Sequence, residues 1–192
     1  MTGGVFAIAH DVSEVDDDRK LVEAAQAEPT AFAAIYHRYG NRVYVYVRSR
    51  VASDEDALDI TQQVFVKSFK ALPRYRHGSV PLAAWLFRIA RNAVVDHQRR
   101  TRPAVDIDAV PMLLREQSPG PEESAIQGED VKRLRAALLK LDKTKREVLA
   151  LRYGGNLRIR EIAEATGKSE EATKKQLSRA LKSLRQCYDS IP

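Results

Sequence analysis

The amino-acid sequence predicts an all-α protein, in which a flexible linker joins two small helical domains. Two blocks of the chain repeat apolar residues at three- and four-residue spacing, which is the period of amphipathic helices. Four prolines, Pro103, Pro111, Pro119 and Pro121, interrupt any helix between these blocks. The C-terminal block also contains a short glycine turn between two helical stretches, which predicts a helix-turn-helix.

Net charge separates four expected units. An acidic leader at 1–20 has two basic and five acidic residues and is expected to be disordered, whereas the N-terminal domain at 21–100 has twelve and seven. The linker at 101–130 has two basic and seven acidic residues, and the C-terminal domain at 131–192 has sixteen and seven. The formal total of +6 therefore divides into two cationic domains and two anionic segments. Cationic domains favour a polyanionic partner such as nucleic acid.

The N-terminal domain is predicted to contain three main helices after a short one near 19–27. Thr30 is the expected cap of the first, and Ser53 is the expected cap of the second, because three carboxylates follow it in the positive first turn. Pro73 ends the second helix and Pro81 opens the third. Their apolar stripes are Phe32, Ile35, Tyr36, Tyr39, Val43 and Val47; Ala57, Ile60, Val64, Phe65 and Leu72; and Leu82, Trp85, Leu86, Ile89, Ala93 and Val94.

The C-terminal domain is predicted to begin with a helix whose stripe includes Val131 and Leu138. Asp142 caps the next helix, which ends at the glycine pair 154–155. A helix over 158–166, a turn at 167–169 and a helix over 170–186 follow, with Ser169 as the cap of the last one. These last two helices form the helix-turn-helix.

Several functional classes lack their characteristic residues. The single cysteine, Cys187, excludes an internal disulfide framework and a cysteine-based zinc site. The four histidines are dispersed, and there is no glycine-rich phosphate loop. We therefore expect no catalytic residue, no metal and no cofactor. Neither a secretory signal nor an apolar run of about 20 residues is present, so a cytoplasmic protein without membrane insertion is expected.

Nucleic-acid chemistry is concentrated in two places. The loop and helix after Pro73 combine rings and guanidinium groups, which suit unpaired bases and phosphates; the candidates are Arg74, Tyr75, Arg76, His77, Arg88, Arg91 and Asn92. The second helix of the helix-turn-helix suits a major groove; its candidates are Ser169, Lys174, Lys175, Gln176, Ser178 and Arg179. The alternatives are a solvated basic face in the first case and an ordinary helical hairpin in the second.

Three short runs carry a family resemblance. They are Asp56–Phe65, Trp85–Asn92, and Arg160–Glu164 with the later Arg179-Ala180 pair. In that order, they resemble the polymerase-docking helix, the promoter-melting helix and the C-terminal helix-turn-helix of bacterial sigma factors. With two domains and a short linker, the chain resembles the extracytoplasmic-function group of that family.

The resemblance implies a function and a set of partners. The chain would bind core RNA polymerase, direct it to the −35 and −10 elements of promoter DNA, and promote strand opening. The residues that would face the β′ clamp helices of polymerase are Asp54, Asp56, Asp59, Gln62 and Gln63. The β subunit and an anti-sigma factor are further implied partners. The −10 element would meet the loop and helix after Pro73, the −35 element would meet the second helix of the helix-turn-helix, and Trp85 would anchor the core.

Two alternatives stay open on the sequence. One is a helix-turn-helix regulator that binds duplex DNA without polymerase, and the more distant one is a nucleic-acid enzyme. The helix over 54–65 discriminates between them, because its carboxylates would repel DNA and yet suit a basic surface on a protein.

Overall fold

The computed structural model describes residues 13–76, 78, 80–100 and 124–191. These ranges contain eight α-helices and no strand, which confirms the predicted all-α class. The N-terminal helices are α1 (Ser13–Ala27), α2 (Phe32–Arg48), α3 (Asp54–Ala71) and α4 (Leu82–Arg100). The C-terminal helices are α5 (Ser124–Lys140), α6 (Lys143–Leu149), α7 (Ile159–Thr166) and α8 (Glu170–Asp189). None of these described helices is long and apolar enough to cross a membrane.

Two boundaries differ from those expected. Helix α1 begins at Ser13, inside the segment that we expected to be disordered up to residue 20. Asp18 explains the difference, because it is buried, accepts a hydrogen bond from the Tyr39 hydroxyl (2.6 Å) and pairs with Arg38 (3.2 Å). Helix α5 begins inside the predicted linker, and Asp130 there accepts a hydrogen bond from the Tyr188 hydroxyl (2.8 Å). The rest of the leader, 1–12, and of the linker, 101–123, lies outside the described residues.

Side-chain caps fix three of the helix starts. Ser53, Asp142 and Ser169 accept the backbone N–H three residues ahead, at 3.0, 2.8 and 3.1 Å, as the sequence predicts. The expectation for Thr30 is wrong. Thr30 lies inside a 3₁₀ turn, Pro29–Ala31, and donates its own N–H to the Glu28 carboxylate (3.3 Å). Proline fixes φ near the helical value, so the turn starts at Pro29 before α2 begins.

The predicted apolar stripes form most of the core of the N-terminal domain, and Tyr36 and Phe87 are two of the residues that depart from the pattern. Tyr36 is 48% exposed, although its position was assigned to the interior. Phe87 is fully buried, although it lies outside the predicted stripe of α4. The ring of Phe87 packs edge-on against Tyr46 (centroids 5.6 Å apart) and also contacts the C-terminal domain. Helix α4 therefore has two buried faces, one toward each domain.

The two domains pack directly against each other. Helix α4 lies on α7, and α2 lies on a single π-helical turn, Ala150–Gly154. Arg42 donates from Nε to the Gly155 carbonyl (3.0 Å) and from a terminal nitrogen to the Asn156 carbonyl (2.9 Å). A Cβ added at Gly155 would lie 2.6 Å from the Phe87 ring, so only glycine permits this approach. The sequence pattern did not predict this contact between the domains.

Candidate nucleic-acid interface and docking surface

The five residues predicted to bind polymerase divide into two groups on α3. Asp59, Gln62 and Gln63 are exposed. Asp54 is exposed as well, but it accepts a hydrogen bond from the buried Arg48 guanidinium, which lowers the pKa of the Asp54 carboxyl, and a second one from the Tyr44 hydroxyl (3.2 Å). Asp56 accepts from the Ser53 hydroxyl (2.8 Å) and lies 3.9 Å from His97. These two carboxylates therefore secure the start of the helix.

Exposed apolar side chains extend this surface in a way that our sequence analysis missed. Leu58 and Val66 are 56% and 53% exposed, and both flank Gln62 at four-residue spacing. Residues 58, 59, 62, 63 and 66 are called the α3 face below. Leu58 and Val66 lie outside the buried stripe of Ala57, Ile60 and Val64. Apolar residues at such positions indicate an exposed apolar surface, and the sequence therefore contained this information.

The loop after Pro73 is held in place by α1. The Gln26 side-chain amide donates to the carbonyls of Leu72 (2.8 Å) and Tyr75 (2.7 Å). Arg74 and Arg76 are exposed and line a cleft of about 790 Å³ between the loop and α1. Gly78, at φ +98°, also lines the cleft and makes the left-handed turn of the loop possible. His77 lies outside the described residues.

A residue that stacks on bases is expected to be exposed, and Tyr75 is instead buried. Its side chain is 6% exposed, its hydroxyl donates to the Val80 carbonyl (2.6 Å), and its ring lies 4.9 Å from that of Trp85. Burial, followed by the charge of Asp18, raises the pKa of Tyr75 to about 12. Trp85 is half-buried against the core, in agreement with the anchoring role expected of it. Tyr75 therefore holds the two ends of the loop together in this structure.

Helix α4 presents two of its three predicted DNA-binding residues. Arg88 and Asn92 are exposed. The Arg91 guanidinium instead donates from Nε to the Glu147 carboxylate of the C-terminal domain (2.7 Å). The contact between the domains therefore occupies part of the surface that was assigned to nucleic acid.

Helix α8 carries most of its predicted residues on its outer face. Lys174, Lys175, Ser178 and Arg179 are exposed, and Lys175 pairs with Glu171 (2.6 Å). Gln176 is less available, because its amide donates to the Thr144 carbonyl (3.1 Å) and its oxygen accepts from Lys168. The preceding turn is built by Gly167, whose φ of +68° suits glycine. Among the described residues, no group of histidine, cysteine and carboxylate side chains is arranged to hold a metal ion.

The two domains match two different family models. Residues 35–103 match Sigma-70 region 2, and residues 132–184 match Sigma-70, region 4. The sigma factor SigD of Mycobacterium tuberculosis is 32% identical over 177 residues, which are 88% of this chain and 82% of SigD. The chain belongs to the extracytoplasmic-function sigma factors. Proteins of this family serve promoter-specific transcription initiation by RNA polymerase, and they are DNA-binding regulatory proteins rather than enzymes.

Further relatives place the sigma factor within that group. The sigma factor BldN of Streptomyces coelicolor is 32% identical over 167 residues; these are 86% of this chain and 63% of BldN, so the chain spans less than two thirds of that relative. A structure of CnrH in complex with the cytosolic domain of CnrY is 27% identical, with a TM-score of 0.68 over 91% of this chain and 99% of the other. RpoE of Bartonella quintana shares the fold, with a TM-score of 0.61 over 84% and 98% at 19% identity.

Proposed function

We propose that this sigma factor binds core RNA polymerase through the α3 face, holds the −10 element at the loop 73–80 and α4, and reads the −35 element with α8. The segregation of the exposed side chains carries this proposal. The part of α3 from Asp54 to Val66 exposes carboxylate, amide and apolar groups, whereas exposed cations lie at the end of α3, on the loop, on α4 and on α8. Each surface therefore suits a partner of different chemistry.

The α3 face suits a protein groove. Asp59 would repel DNA phosphates, and burial of Leu58 and Val66 would stabilise a protein complex by roughly 25 cal/mol per Å² of apolar surface. The amides of Gln62 and Gln63 would supply directed hydrogen bonds. The β′ clamp helices are the partner proposed for this face, and the β subunit is a further polymerase contact. Asp54 and Asp56 are proposed to act indirectly, by fixing the start of α3.

The cleft beside the loop suits an unpaired base. Its volume, about 790 Å³, lies in the usual range of small-ligand pockets. Arg74 and Arg76 would hold the flanking phosphates, and Arg88 and Asn92 on α4 would continue the path of the strand. Tyr75 is proposed to shape this loop through its bond to Val80. The contribution of His77 stays a prediction.

Helix α8 suits duplex DNA. Lys174 and Arg179 are exposed on its outer face, and Ser169 places the start of the helix through its cap. Lysine and arginine at such positions contact guanine edges or phosphates in a major groove. Because Gln176 is bonded to Thr144 and Lys168, only one amide hydrogen and one oxygen lone pair of its side chain are left for a contact with a base.

We also propose that an anti-sigma factor regulates this protein and that the protein acts in the cytoplasm. CnrH, whose fold this sigma factor shares, was solved with the cytosolic domain of CnrY bound. A regulatory protein that covers one or more of the three surfaces would keep them from polymerase and DNA. The cytoplasm is the compartment in which the proposed partners, core polymerase and promoter DNA, are both present.

Transcription in vitro with core polymerase and a pool of randomised promoters tests the function. The decisive variant is Asp59→Lys, which reverses the charge of the α3 face without touching the cap of α3. Glu164→Lys is the matched control, because Glu164 is also exposed but lies on α7. We expect Asp59→Lys to abolish assembly with core polymerase and Glu164→Lys to retain it. Equal assembly by the two variants would contradict the proposed docking surface.

A further inference from the structure

Helix α1 forms one wall of the cleft beside the loop 73–80. The residues that line the cleft from this helix lie three and four positions apart, and therefore on one of its faces; they are Arg19, Val22, Glu23 and Gln26. The match to Sigma-70 region 2 begins at residue 35, so it does not include α1. The helix nonetheless contacts the loop that is proposed to hold the −10 element.

The position of α1 is fixed by its packing on the rest of the domain. Val22 and Ala25 are buried in the core. Nearer the start of the helix, Asp18 accepts a hydrogen bond from the Tyr39 hydroxyl (2.6 Å) and pairs with Arg38 (3.2 Å). Helix α1 is therefore attached to α2 at several points along its length, and it can support a neighbouring loop.

Gln26 bonds this support to the start of the loop. Its side-chain Nε2 donates to the Leu72 carbonyl (2.8 Å) and to the Tyr75 carbonyl (2.7 Å), so both amide hydrogens are used. These carbonyls lie at the two ends of a 3₁₀ turn, Leu72–Arg74, which the Tyr75 N–H closes by donating to the Leu72 carbonyl (2.9 Å). One side chain of α1 thus holds both ends of the turn.

The bonds of Gln26 also bear on where the cations of the loop lie. Tyr75 has an extended backbone (φ −70°, ψ 130°), and its side chain is buried. Arg74 and Arg76, on either side of it, line the cleft instead, as the alternation of side chains along an extended chain implies. Release of the Tyr75 carbonyl would free this segment to rotate, and both guanidinium groups would lose their fixed places.

We propose that Gln26 is a positioning residue for promoter opening, which holds the loop 73–80 in the shape that receives an unpaired base of the −10 element. A loop that already has its bound shape loses less conformational entropy when the base enters. A base of the wrong shape would have to deform the loop, so a fixed loop also discriminates between bases. Gln26 acts through the backbone of Leu72 and Tyr75. The inference rests on the proposed −10 function of the loop and adds the residue that prepares it.

Three variants isolate the two donated hydrogen bonds. Gln26→Met keeps the length of the side chain and removes its donors, whereas Gln26→Lys supplies donors again. Ala24→Lys adds the same charge at an exposed position of α1 that does not line the cleft. Each variant is assembled with core polymerase on a promoter that the wild-type protein selects from the randomised pool, with 2-aminopurine in the −10 element to report unstacking of the bases.

The rate of strand opening and the affinity of the closed complex are measured separately. We expect Gln26→Met to slow opening about fivefold, while assembly with polymerase and the affinity of the closed complex are unchanged. Gln26→Lys should open at the rate of Ala24→Lys. Wild-type opening by Gln26→Met, or opening by Gln26→Lys as slow as that by Gln26→Met, would overturn the proposal. Loss of polymerase assembly in Gln26→Met would also overturn it, because the residue would then be required for the fold as a whole.

Base preference is a second readout, which a general loss of stability would not change at one element alone. Selection from the randomised pool with Gln26→Met should relax the preference at the −10 element and retain it at the −35 element. Equal relaxation at both elements would count against a positioning role.

A double variant distinguishes failure of this inference from failure of the proposed function. If replacement of Arg74 and Arg76 by alanine left opening and the −10 preference unchanged, the proposed function of the loop would itself be rejected. A defect in that double variant, together with wild-type behaviour of Gln26→Met, would reject the positioning role alone.

Discussion

Three tyrosines of the N-terminal domain bury their phenol groups. Tyr39, Tyr46 and Tyr75 are 2%, 0% and 6% exposed. Burial is the largest cause that raises the pKa of each phenol, to about 12 for Tyr75 and beyond the usual range for the other two, and the charge of Asp18 also raises the pKa of Tyr39 and Tyr75. Each phenol is therefore more easily ionised in the unfolded chain than in the folded one.

This difference predicts a loss of stability in alkali. The contribution of each tyrosine is fully present below its unfolded pKa of about 10 and falls by about 1.4 kcal/mol per pH unit above it, until the folded pKa is reached. Urea unfolding between pH 9 and pH 11.5 measures the slope of the unfolding free energy. We expect Tyr46→Phe to flatten that slope and Tyr153→Phe, a change at an exposed ring, to leave it unchanged. Identical slopes for the two variants would contradict the assignment.

Residue type and position along a helix correctly predicted that four of the candidate DNA-binding side chains are exposed. Arg88, Asn92, Lys174 and Arg179 all lie on the surface, as their places outside the apolar stripes imply. Tyr75 and Arg91 are different, since Tyr75 bonds to a carbonyl on its own loop and Arg91 bonds to a carboxylate of the other domain. Helical periodicity reports which side of a helix faces its own domain, and it carries no information about a loop carbonyl or a second domain.

At the scale of elements, α4 and α8 are expected to contribute to different steps of initiation. Replacement of Arg88 and Asn92 by alanine should impair strand opening more than formation of the closed promoter complex. Replacement of Lys174 and Lys175 should weaken duplex binding and lower its salt dependence by roughly one log–log unit per lost phosphate contact. Lys174 should contribute more than Lys175, because Lys175 is already paired with Glu171. Permanganate reactivity of the melted strand and salt titration of binding measure the two effects.

The turn between α7 and α8 gives a prediction about the helix-turn-helix itself. Gly167 has a φ of +68°, and nothing lies within 4 Å of a Cβ added there. The cost of Gly167→Ala is therefore conformational, about 1 kcal/mol in the free energy of unfolding. Gly167→Asn should cost less, because asparagine tolerates the left-handed conformation. Chemical denaturation ranks the variants, and an alanine variant as stable as the asparagine variant would contradict this explanation.

The start of a helix was predictable where the groups that cap it lie within one turn of each other. Ser53, Asp142 and Ser169 were predictable as caps because a side-chain oxygen and a nearby N–H satisfy each other within one turn. The start of α1 was not, because Asp18 is stabilised by Tyr39 and Arg38 on another helix. A run of acidic residues alone is typical of a solvated segment, and only the partner residues reveal that this one is folded.

At the scale of the whole molecule, the contact between the domains was the least predictable feature. Phe87 and Gly155 are brought together from opposite sides of the linker, and neither lies on a stripe that indicates the other. The sequence predicted two cationic units and a linker, and it contains the two family regions. Their mutual packing depends on a glycine, a ring and two backbone carbonyls, none of which has a distinctive pattern.

The linker limits how far the two domains can separate, and its length therefore limits whether both promoter elements can be bound at once. The 23 residues at 101–123 reach at most about 80 Å when extended, and the 11 that remain after a twelve-residue deletion reach about 38 Å. Each domain has a radius of about 15 Å, so the centres of the two domains in the shortened chain lie at most about 70 Å apart. The −35 and −10 elements lie about 25 base pairs apart, which is roughly 85 Å along B-DNA, and the shortened chain therefore falls short of that distance.

We expect the twelve-residue deletion to reduce transcription from a promoter with both elements at least tenfold, while assembly with polymerase and duplex binding by α8 are retained. A glycine-serine segment of the original length, in place of the same twelve residues, is the matched control and should transcribe well, because it keeps the reach and changes only the sequence. Full activity of the deletion variant would show that the two elements are not held at once by separated domains. Loss of activity in the glycine-serine variant would show that the side chains of the linker, rather than its length, are what initiation requires.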